Sequence, residues 1–353
     1  MSTLGLMERL NSGEKVVVAE GYLFNFEKRC YLQAGPFVPT VVLEHPDLVQ
    51  QLHEEFVRAG SDVVLALTYY GHREKLKLIN RAYDLEELNR SALRIARKCA
   101  DETGTLMAGN ICNTNVYNPN NPGSKETVKS IFKEQIEWAV EEGADFIVAE
   151  TFLVFEEAMI ALEAINEYGQ GLPSVVTLAI MNNRKEGKDY TVDNVEVTEA
   201  LKRLEASGAD VVGLNCIRGP DTMLGIMENV KKSGVKAHLA ALPVPYRTTE
   251  REPIFIMLTD PKRGTKLFPN NLDCCMSTRD DIFEFGQRCD EIGVPYIGIC
   301  CGNSPHYTRT LCESIGRKPP ACKYSPDMKL HCVFGDDDHA HQYRKKKEAK
   351  MTD

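Results

Sequence analysis

Apolar runs alternate with amphipathic segments along most of this chain, and the alternation continues through eight rounds. Buried strands are predicted over 16–20, 62–70, 105–112, 145–152, 173–180, 209–216, 236–242 and 295–301. Helices are predicted over 45–59, 85–101, 124–142, 155–168, 195–207, 221–233, 279–292 and 305–315, the third of them capped by Ser124. Eight successive strand–helix pairs predict an α/β protein with a (β/α)8 TIM barrel.

Two long insertions interrupt the alternation, one after the first strand at 22–44 and one after the seventh at 244–271. Both are rich in Pro, Gly and aromatic residues, and long loops above the carboxyl ends of barrel strands commonly build substrate pockets. Surface decoration is the alternative interpretation. We expect one barrel domain over 1–316 and a short C-terminal extension over 317–353, whose polar composition cannot bury a core of its own.

Composition and charge narrow the class of protein. The 353 residues are 43% hydrophobic with a net charge of -9, which argues against a nucleic-acid-binding surface. The basic run 344–347 lies beside acidic residues 336–338 and is typical of a solvated tail. The polar segment 1–13 lacks a secretory signal, and no apolar run is long enough to span a bilayer. We therefore expect a cytoplasmic protein whose 12 cysteines are reduced.

Three cysteines follow two of the predicted strands. Cys216 closes the sixth strand, and the adjacent pair Cys300 and Cys301 closes the eighth. In a parallel barrel the carboxyl ends of all strands meet at one rim, so the three sulfurs are expected to converge there. Three thiolates around one point form a metal site with an open fourth position, and zinc is the metal they suit. Alternatively, buried cysteines act simply as small hydrophobic residues.

Several short motifs together resemble the zinc-dependent homocysteine S-methyltransferase family. The motifs are Glu27-Lys28-Arg29, Ala34-Gly35-Pro36, Glu44-His45-Pro46, Ala149-Glu150, Gly213-Leu214-Asn215-Cys216 and Gly298-Ile299-Cys300-Cys301-Gly302. Within the family, the sequence is most similar to the betaine-homocysteine methyltransferase branch, over about residues 6–315. The resemblance implies that Cys216, Cys300 and Cys301 bind Zn²⁺. It also implies methyl transfer from an onium donor to a thiol, homocysteine, giving methionine.

The resemblance also assigns substrate residues. Glu150 is expected to bind the amino group of the thiol amino acid, although a carboxylate at a barrel mouth could instead pair with a basic side chain. Tyr70 and Phe37 match aromatic positions that face the donor cation, and aromatic rings attract quaternary cations; each could equally fill the core of its loop. The substrate pocket is further predicted to include Glu20, Thr151 and Asn215. His339 and His341, in the tail, lack a metal-ligand spacing.

Departures from the betaine branch fall in the predicted pocket. They are Ala19-Glu20-Gly21-Tyr22 after the first strand, where the carboxylate is shifted by one place, Leu65-Ala66 in place of a polar pair, Thr151 in place of a tyrosine, and Ile299 in place of a glycine. Altered donor choice, with betaine a poor donor, is one interpretation. The other is a zinc-bearing barrel that binds an onium or thiol metabolite without turnover. The short tail predicts a small assembly, a homodimer or a monomer.

Overall fold

Eight parallel strands close into a barrel in the computed structural model, which describes residues 4–331, 334–335 and 345. The barrel strands are β1 Val16–Ala19, β2 Val63–Leu65, β3 Leu106–Cys112, β4 Phe146–Phe152, β5 Ser174–Leu178, β6 Val211–Asn215, β7 His238–Leu242 and β8 Tyr296–Ile299. Each strand pairs with its neighbours in chain order, and β1 closes the ring against β8 with Val16 opposite Tyr296. The predicted (β/α)8 barrel is confirmed.

Twelve helices occur in the described residues, and each barrel strand is followed by at least one of them. They are α1 Leu6–Asn11, α2 Tyr22–Lys28, α3 Val41–Glu44, α4 Pro46–Ala59, α5 Arg73–Leu78, α6 Leu85–Thr103, α7 Gly123–Glu141, α8 Phe155–Tyr168, α9 Val197–Ala206, α10 Pro220–Lys232, α11 Arg279–Ile292 and α12 Pro305–Ser314. The outer helices bury one apolar stripe each against strands whose residues are almost all buried. Helix α4 shows residues that commonly start and end a helix. It begins at Pro46 and is followed by Gly60 in the left-handed conformation.

Two local predictions are wrong. The second strand ends at Leu65 rather than at Tyr70, because the chain turns at once: the Thr68 N–H donates to the Ala66 carbonyl and the Gly71 N–H to the Thr68 carbonyl. Tyr70 therefore lies in a turn above the strand. Helix α7 begins at Gly123, so Ser124 lies within it and is not its cap. The Ser124 hydroxyl instead donates to the Asn118 carbonyl at 2.7 Å, fixing the preceding loop.

The two predicted insertions and the extension have structure of their own. The loop after β1 contains α2 and α3, and the loop after β7 contains two short 3₁₀ helices, Phe255–Met257 and Leu272–Cys275. Arg317, at the start of the extension, donates to Asp62 at 2.7 Å beside β2. His339, His341, the acidic run 336–338 and all but residue 345 of the basic run lie outside the described residues. Across the described ranges, no helix has the length and apolar content that crossing a membrane requires.

Candidate metal and substrate site

The three sulfurs of Cys216, Cys300 and Cys301 converge at the carboxyl ends of β6 and β8. They lie within 4.8 Å of one another, and the Sγ atoms of the vicinal pair are 4.0 Å apart. The pairing of both strands with β7 sets this geometry: the Cys216 N–H donates to the Leu242 carbonyl at 2.9 Å, and the Cys300 N–H to the Pro243 carbonyl at 2.8 Å. Cys216 and Cys300 are buried, while Cys301 is partly exposed.

The backbone at Cys216 is held in a conformation that L-residues seldom adopt. Cys216 and Ile217 have φ of 56° and 60°, and for a β-branched residue such as Ile217 this region is costly. The buried Arg218 side chain stabilises the turn, because it donates to the Ile180 and Met181 carbonyls at 3.0 and 2.9 Å and to Asp189 at 2.9 Å. The turn aims the Cys216 sulfur at the other two.

The thiols influence one another's protonation. Hydrogen bonds from the Cys300 and Cys301 thiols hold the pKa of the Cys216 thiol well below its usual value. Burial raises the pKa of Cys300, and the hydrogen bond to Cys216 raises that of Cys301. The two neighbouring thiols therefore favour the thiolate form of Cys216, which is the form in which cysteine binds a metal ion.

The geometry of the sulfurs can be compared with the demands of zinc. Tetrahedral Zn²⁺ with bonds of about 2.3 Å to sulfur places its thiolate ligands roughly 3.8 Å apart. The Sγ atoms of Cys300 and Cys301 are 4.0 Å apart, and all three sulfurs fall within 4.8 Å. The donor set, its spacing and its burial fit a three-thiolate zinc site with one position left for a substrate.

Two buried carboxyl groups lie beside the sulfurs. Glu20, directly after β1, and Glu150, in β4, are 0% and 3% exposed, and their oxygens lie within 4.8 Å of each other and of the Cys300 sulfur. Burial raises the pKa of Glu150 to about 7. Burial and the charge of Glu150 raise the pKa of Glu20 well above its usual value. Burial of both groups thus favours their protonated forms.

Amide and hydroxyl groups orient the carboxyl pair. Asn215, at the end of β6, donates from Nδ2 to the Glu150 carboxyl and the Thr151 hydroxyl, both at 2.8 Å. Its Oδ1 accepts the Thr151 N–H at 2.8 Å, which holds Thr151 at a φ of 64°. Asn110 in β3 donates to Glu150 at 2.5 Å. Glu20 Oε1 and Asn110 Oδ1 are buried acceptors without a donor among the described residues.

A small cavity lies between the vicinal cysteines and Glu150. Its lining residues are Gly21, Tyr22, Leu23, Leu65, Ala66, Leu67, Tyr69, Asn110, Glu150, Cys300 and Cys301. Gly21 forms part of the wall at a φ of 76°, and a Cβ there would lie 2.5 Å from the Cys300 carbonyl. Only glycine permits this close approach to the cysteine backbone.

Tyr70 and Phe37 lie near the mouth of this site but in different surroundings. Tyr70 is half-buried with a φ of 58°, and its ring contacts that of Tyr69, which lines the cavity, at a centroid distance of 4.5 Å. Phe37 stacks on Phe24 at 5.5 Å. We call the rings of Phe24, Phe37, Phe255 and Phe268 the aromatic cap. The cap packs against the same apolar cluster as Cys216 and Cys300.

A sequence profile described as homocysteine S-methyltransferase matches residues 21–315 of the chain. The chain belongs to the homocysteine S-methyltransferase family. As a member of this family, the protein is an S-methyltransferase, and the matched segment contains all three cysteines and all of the predicted substrate residues except Glu20.

Individual relatives agree with this family. Betaine--homocysteine S-methyltransferase 1 from Bos taurus is 36% identical over 320 residues, which cover 88% of this chain and 74% of the relative. S-methylmethionine--homocysteine S-methyltransferase from Mus musculus is 34% identical over 326 residues, covering 90% of this chain and 84% of the relative. The metallated homocysteine methyltransferase MmuM from Escherichia coli has the same fold, with a TM-score of 0.65, 16% identity, and coverage of 86% of this chain and 98% of that one.

Two residues of the site were missed by the sequence reasoning. Asn110 lies within the apolar run of β3, where a polar side chain in a buried strand was the available signal. Arg218 lies three residues after the strand that ends in Asn215, and its buried side chain is paired with Asp189, which is distant in sequence. No local pattern could have indicated that pairing.

Proposed function

We propose that the protein transfers a methyl group from an onium donor to the sulfur of homocysteine, giving methionine, at a zinc ion held by Cys216, Cys300 and Cys301. The observation that carries the proposal is that the three sulfurs converge and that two buried carboxyl groups lie beside them, with Cys300, Cys301 and Glu150 lining one cavity. Binding of a substrate thiol at a metal ion requires the three cysteine sulfurs. Binding of the amino acid that carries this thiol requires a partner for its ammonium group. The cavity offers both within a few ångströms.

A zinc ion bound here would supply Lewis acidity, holding the substrate thiol as a thiolate near neutral pH. The protein's own groups supply the surroundings for that thiolate. Three cysteine sulfurs leave one coordination position open and carry negative charge that keeps the substrate sulfur nucleophilic. Leu65, Ala66 and Leu67 line the cavity with apolar surface, which favours the loss of two opposite charges as the methyl group moves.

The carboxyl pair is suited to the amino group of homocysteine. An ammonium group brings three hydrogen-bond donors, and Glu20 Oε1 and Asn110 Oδ1 are buried acceptors that lack one. Glu150, oriented by Asn110 and Asn215, supplies the negative charge. Thr151 donates from its hydroxyl to Glu150 at 3.1 Å and helps to fix the carboxylate. We assign Glu20, Glu150 and Asn110 to the ammonium group, and Thr151 and Asn215 to their positioning.

The donor is proposed to be a sulfonium compound, or an onium compound whose carboxylate is remote from the charged centre, in preference to glycine betaine. In betaine one methylene separates the cation from the carboxylate, so the carboxylate would lie close to Glu20, Glu150 and the thiolates. Like charges at that distance repel. Leu65 and Ala66 offer no hydrogen-bond donor to offset the repulsion. Relatives named for betaine and for S-methylmethionine are similar to this chain at 36% and 34% identity, so both donors belong in the test.

The experiment is steady-state kinetics of methionine formation from homocysteine with zinc-loaded protein. Betaine, S-methylmethionine and dimethylsulfonioacetate form the donor panel, and dimethylsulfonioacetate separates the effect of the sulfonium from that of carboxylate distance. We expect S-methylmethionine to give the highest kcat/KM. A highest value for betaine would overturn the donor assignment, and no methionine with any donor would overturn the proposed reaction.

The assembly and location follow as further parts of the proposal. We propose a homodimer or a monomer in the cytoplasm. Light scattering at low micromolar concentration is expected to give no more than twice the 39.5 kDa chain mass. A stable tetramer would contradict this assembly.

A further inference from the structure

An ammonium group lies over the ring of Tyr70. Lys75, on helix α5, places its Nζ 3.8 Å from the centroid of that ring. This is close to the shortest separation that a cation and an aromatic face allow. Tyr70 is the residue expected to present an aromatic surface to the donor, so this surface already holds a positive charge that belongs to the protein.

The charge of Lys75 is not neutralised by a carboxylate. Its neighbour Glu74 pairs with Lys77 at 2.6 Å instead, and Arg73 pairs with Glu134 at 2.9 Å. Within the described part of the chain, Lys75 has no ion pair or hydrogen bond, and its side chain is only partly exposed. Burial lowers the pKa of Lys75, as expected for an ammonium group without an anionic partner. Three strong donors are thus left for a ligand.

Lys75 is linked to the cavity through two tyrosine rings. The Tyr70 ring contacts both the Lys75 ammonium, 3.8 Å from its centroid, and the Tyr69 ring, 4.5 Å away, and Tyr69 lines the cavity together with Glu150, Cys300 and Cys301. The Tyr70 N–H donates to the Cys112 sulfur at the end of β3 at 3.3 Å, so the turn that carries the ring is fixed to the barrel. The positive group therefore lies beside the cavity, against a ring that contacts the cavity wall, whereas Glu150 lies in that wall.

We propose that Lys75 binds the carboxylate of the methyl donor and makes the enzyme specific for zwitterionic onium compounds. A donor that carries only a positive charge is repelled by Lys75, whereas a donor with a remote carboxylate pairs with it while its onium end lies toward the sulfurs. A positive charge beside the cavity and negative groups in its wall together match a donor that carries both charges. This inference rests on the proposed function, since it names the chemical class of the donor for that site.

The test compares 3-dimethylsulfoniopropanoate with its primary amide, which has nearly the same shape but no negative charge. Lys75→Met removes the charge and keeps an unbranched apolar side chain against Tyr70. For this variant we expect kcat/KM for the propanoate to fall about 10- to 100-fold, the range for a hydrogen bond to a charged group, mainly through KM. The value for the amide should stay constant or rise. Lys75→Arg should retain the preference for the propanoate, and Lys77→Met, on the exposed face of the same helix, should change neither value.

Calorimetric binding of the propanoate, measured without homocysteine, makes the result independent of turnover. Binding that is about tenfold weaker in Lys75→Met than in the parent supports the proposal even if no methionine forms, in which case only the proposed reaction fails. Equal losses for propanoate and amide would assign Lys75 a structural role and overturn the proposal. So would the absence of propanoate binding to the parent protein, or unchanged binding in the variant.

Discussion

The chain contains two adjacent cysteine pairs with nearly the same sulfur separation and very different surroundings. The sulfurs of Cys300 and Cys301 are 4.0 Å apart, and those of Cys274 and Cys275 are 3.9 Å apart. The first pair follows a barrel strand and meets Cys216. The second pair lies in the 3₁₀ helix at the end of the long loop after β7, where Cys274 is exposed and donates to the Asn271 carbonyl.

The comparison shows that a short distance between two neighbouring sulfurs does not by itself make a metal site. In the part of the chain that the structure describes, Cys274 and Cys275 gain no third metal-ligating side chain, so the dipeptide alone provides two ligands where a structural or catalytic zinc needs three or four. Cys300 and Cys301 gain a third sulfur from the barrel, whose parallel strands bring residues 216 and 300 to one rim. The predictions below test this difference.

The largest effect is expected from Cys216→Ala. Loss of the third sulfur should lower zinc content from about one per chain to near zero, because two thiolates do not hold the ion tightly. Methyl transfer should fall below detection. The matched control is Cys274→Ala, which should keep both zinc and activity. Elemental analysis and the methionine assay decide the matter: full zinc in Cys216→Ala, or metal loss in the control, would reverse the assignment of the two pairs.

Alkylation should also distinguish the pairs. With iodoacetamide and zinc-loaded protein, Cys274 is expected to react first, because it is exposed, whereas metal-bound and buried sulfurs are shielded. Burial raises the pKa of Cys275 to about 11, so it should react more slowly than Cys274. Peptide mapping by mass spectrometry gives the order, and chelation of zinc should then allow Cys301, which is partly exposed, to react. Early modification of Cys301 in loaded protein would contradict the zinc site.

The carboxyl groups beside the buried pair predict a pH-dependent stability. Folding raises the pKa of Glu150 from 4.5 to about 7, so the folded state favours its protonated form. The contribution of Glu150 to the free energy of unfolding of the metal-free protein should therefore be fully present below pH 4.5 and should fall by about 3 kcal/mol as the pH rises through 7, relative to a variant without this group.

Denaturant titrations across that range measure this fall. Glu150→Gln removes the titrating group and should show a shallower fall than the parent protein. If stability rises between pH 5 and pH 7 in the parent, or if the variant follows the same curve, the carboxyl pair is not the cause.

The smallest effect concerns the residue that follows the buried pair. Gly302 has a φ of 95°, and a Cβ there would lie 2.4 Å from the buried Tyr246 hydroxyl. Gly302→Ala should therefore lower the free energy of unfolding by about 2 kcal/mol. Gly264→Ala is the matched control, since Gly264 also has a positive φ of 67° but no atom within 4 Å of the added methyl. The control should lose about 1 kcal/mol, and equal losses would show that contact with Tyr246 is not a constraint.

The barrel strands and the three converging cysteines could be predicted because their signals are local in the sequence. An apolar run that ends in cysteine indicates both a strand and a rim position, which is how Cys216, Cys300 and Cys301 were found. The sequence analysis placed Tyr70 in a strand because the segment from Asp62 to Tyr70 is largely apolar. In the structure, β2 ends at Leu65, which is its last residue paired with β3. Thr151 owes its left-handed conformation to Asn215, 64 residues away. Interactions of that kind cannot be read from neighbours in sequence.

The aromatic cap couples two loops that are far apart in the sequence. Phe24 contacts Phe37, Phe255 and Phe268 at centroid distances of 5.5, 6.2 and 6.5 Å, so the loop after β1 and the loop after β7 are held together by ring contacts. The consequence is that neither loop can change its conformation without breaking contacts with the other, and a substitution in one loop will be felt in both.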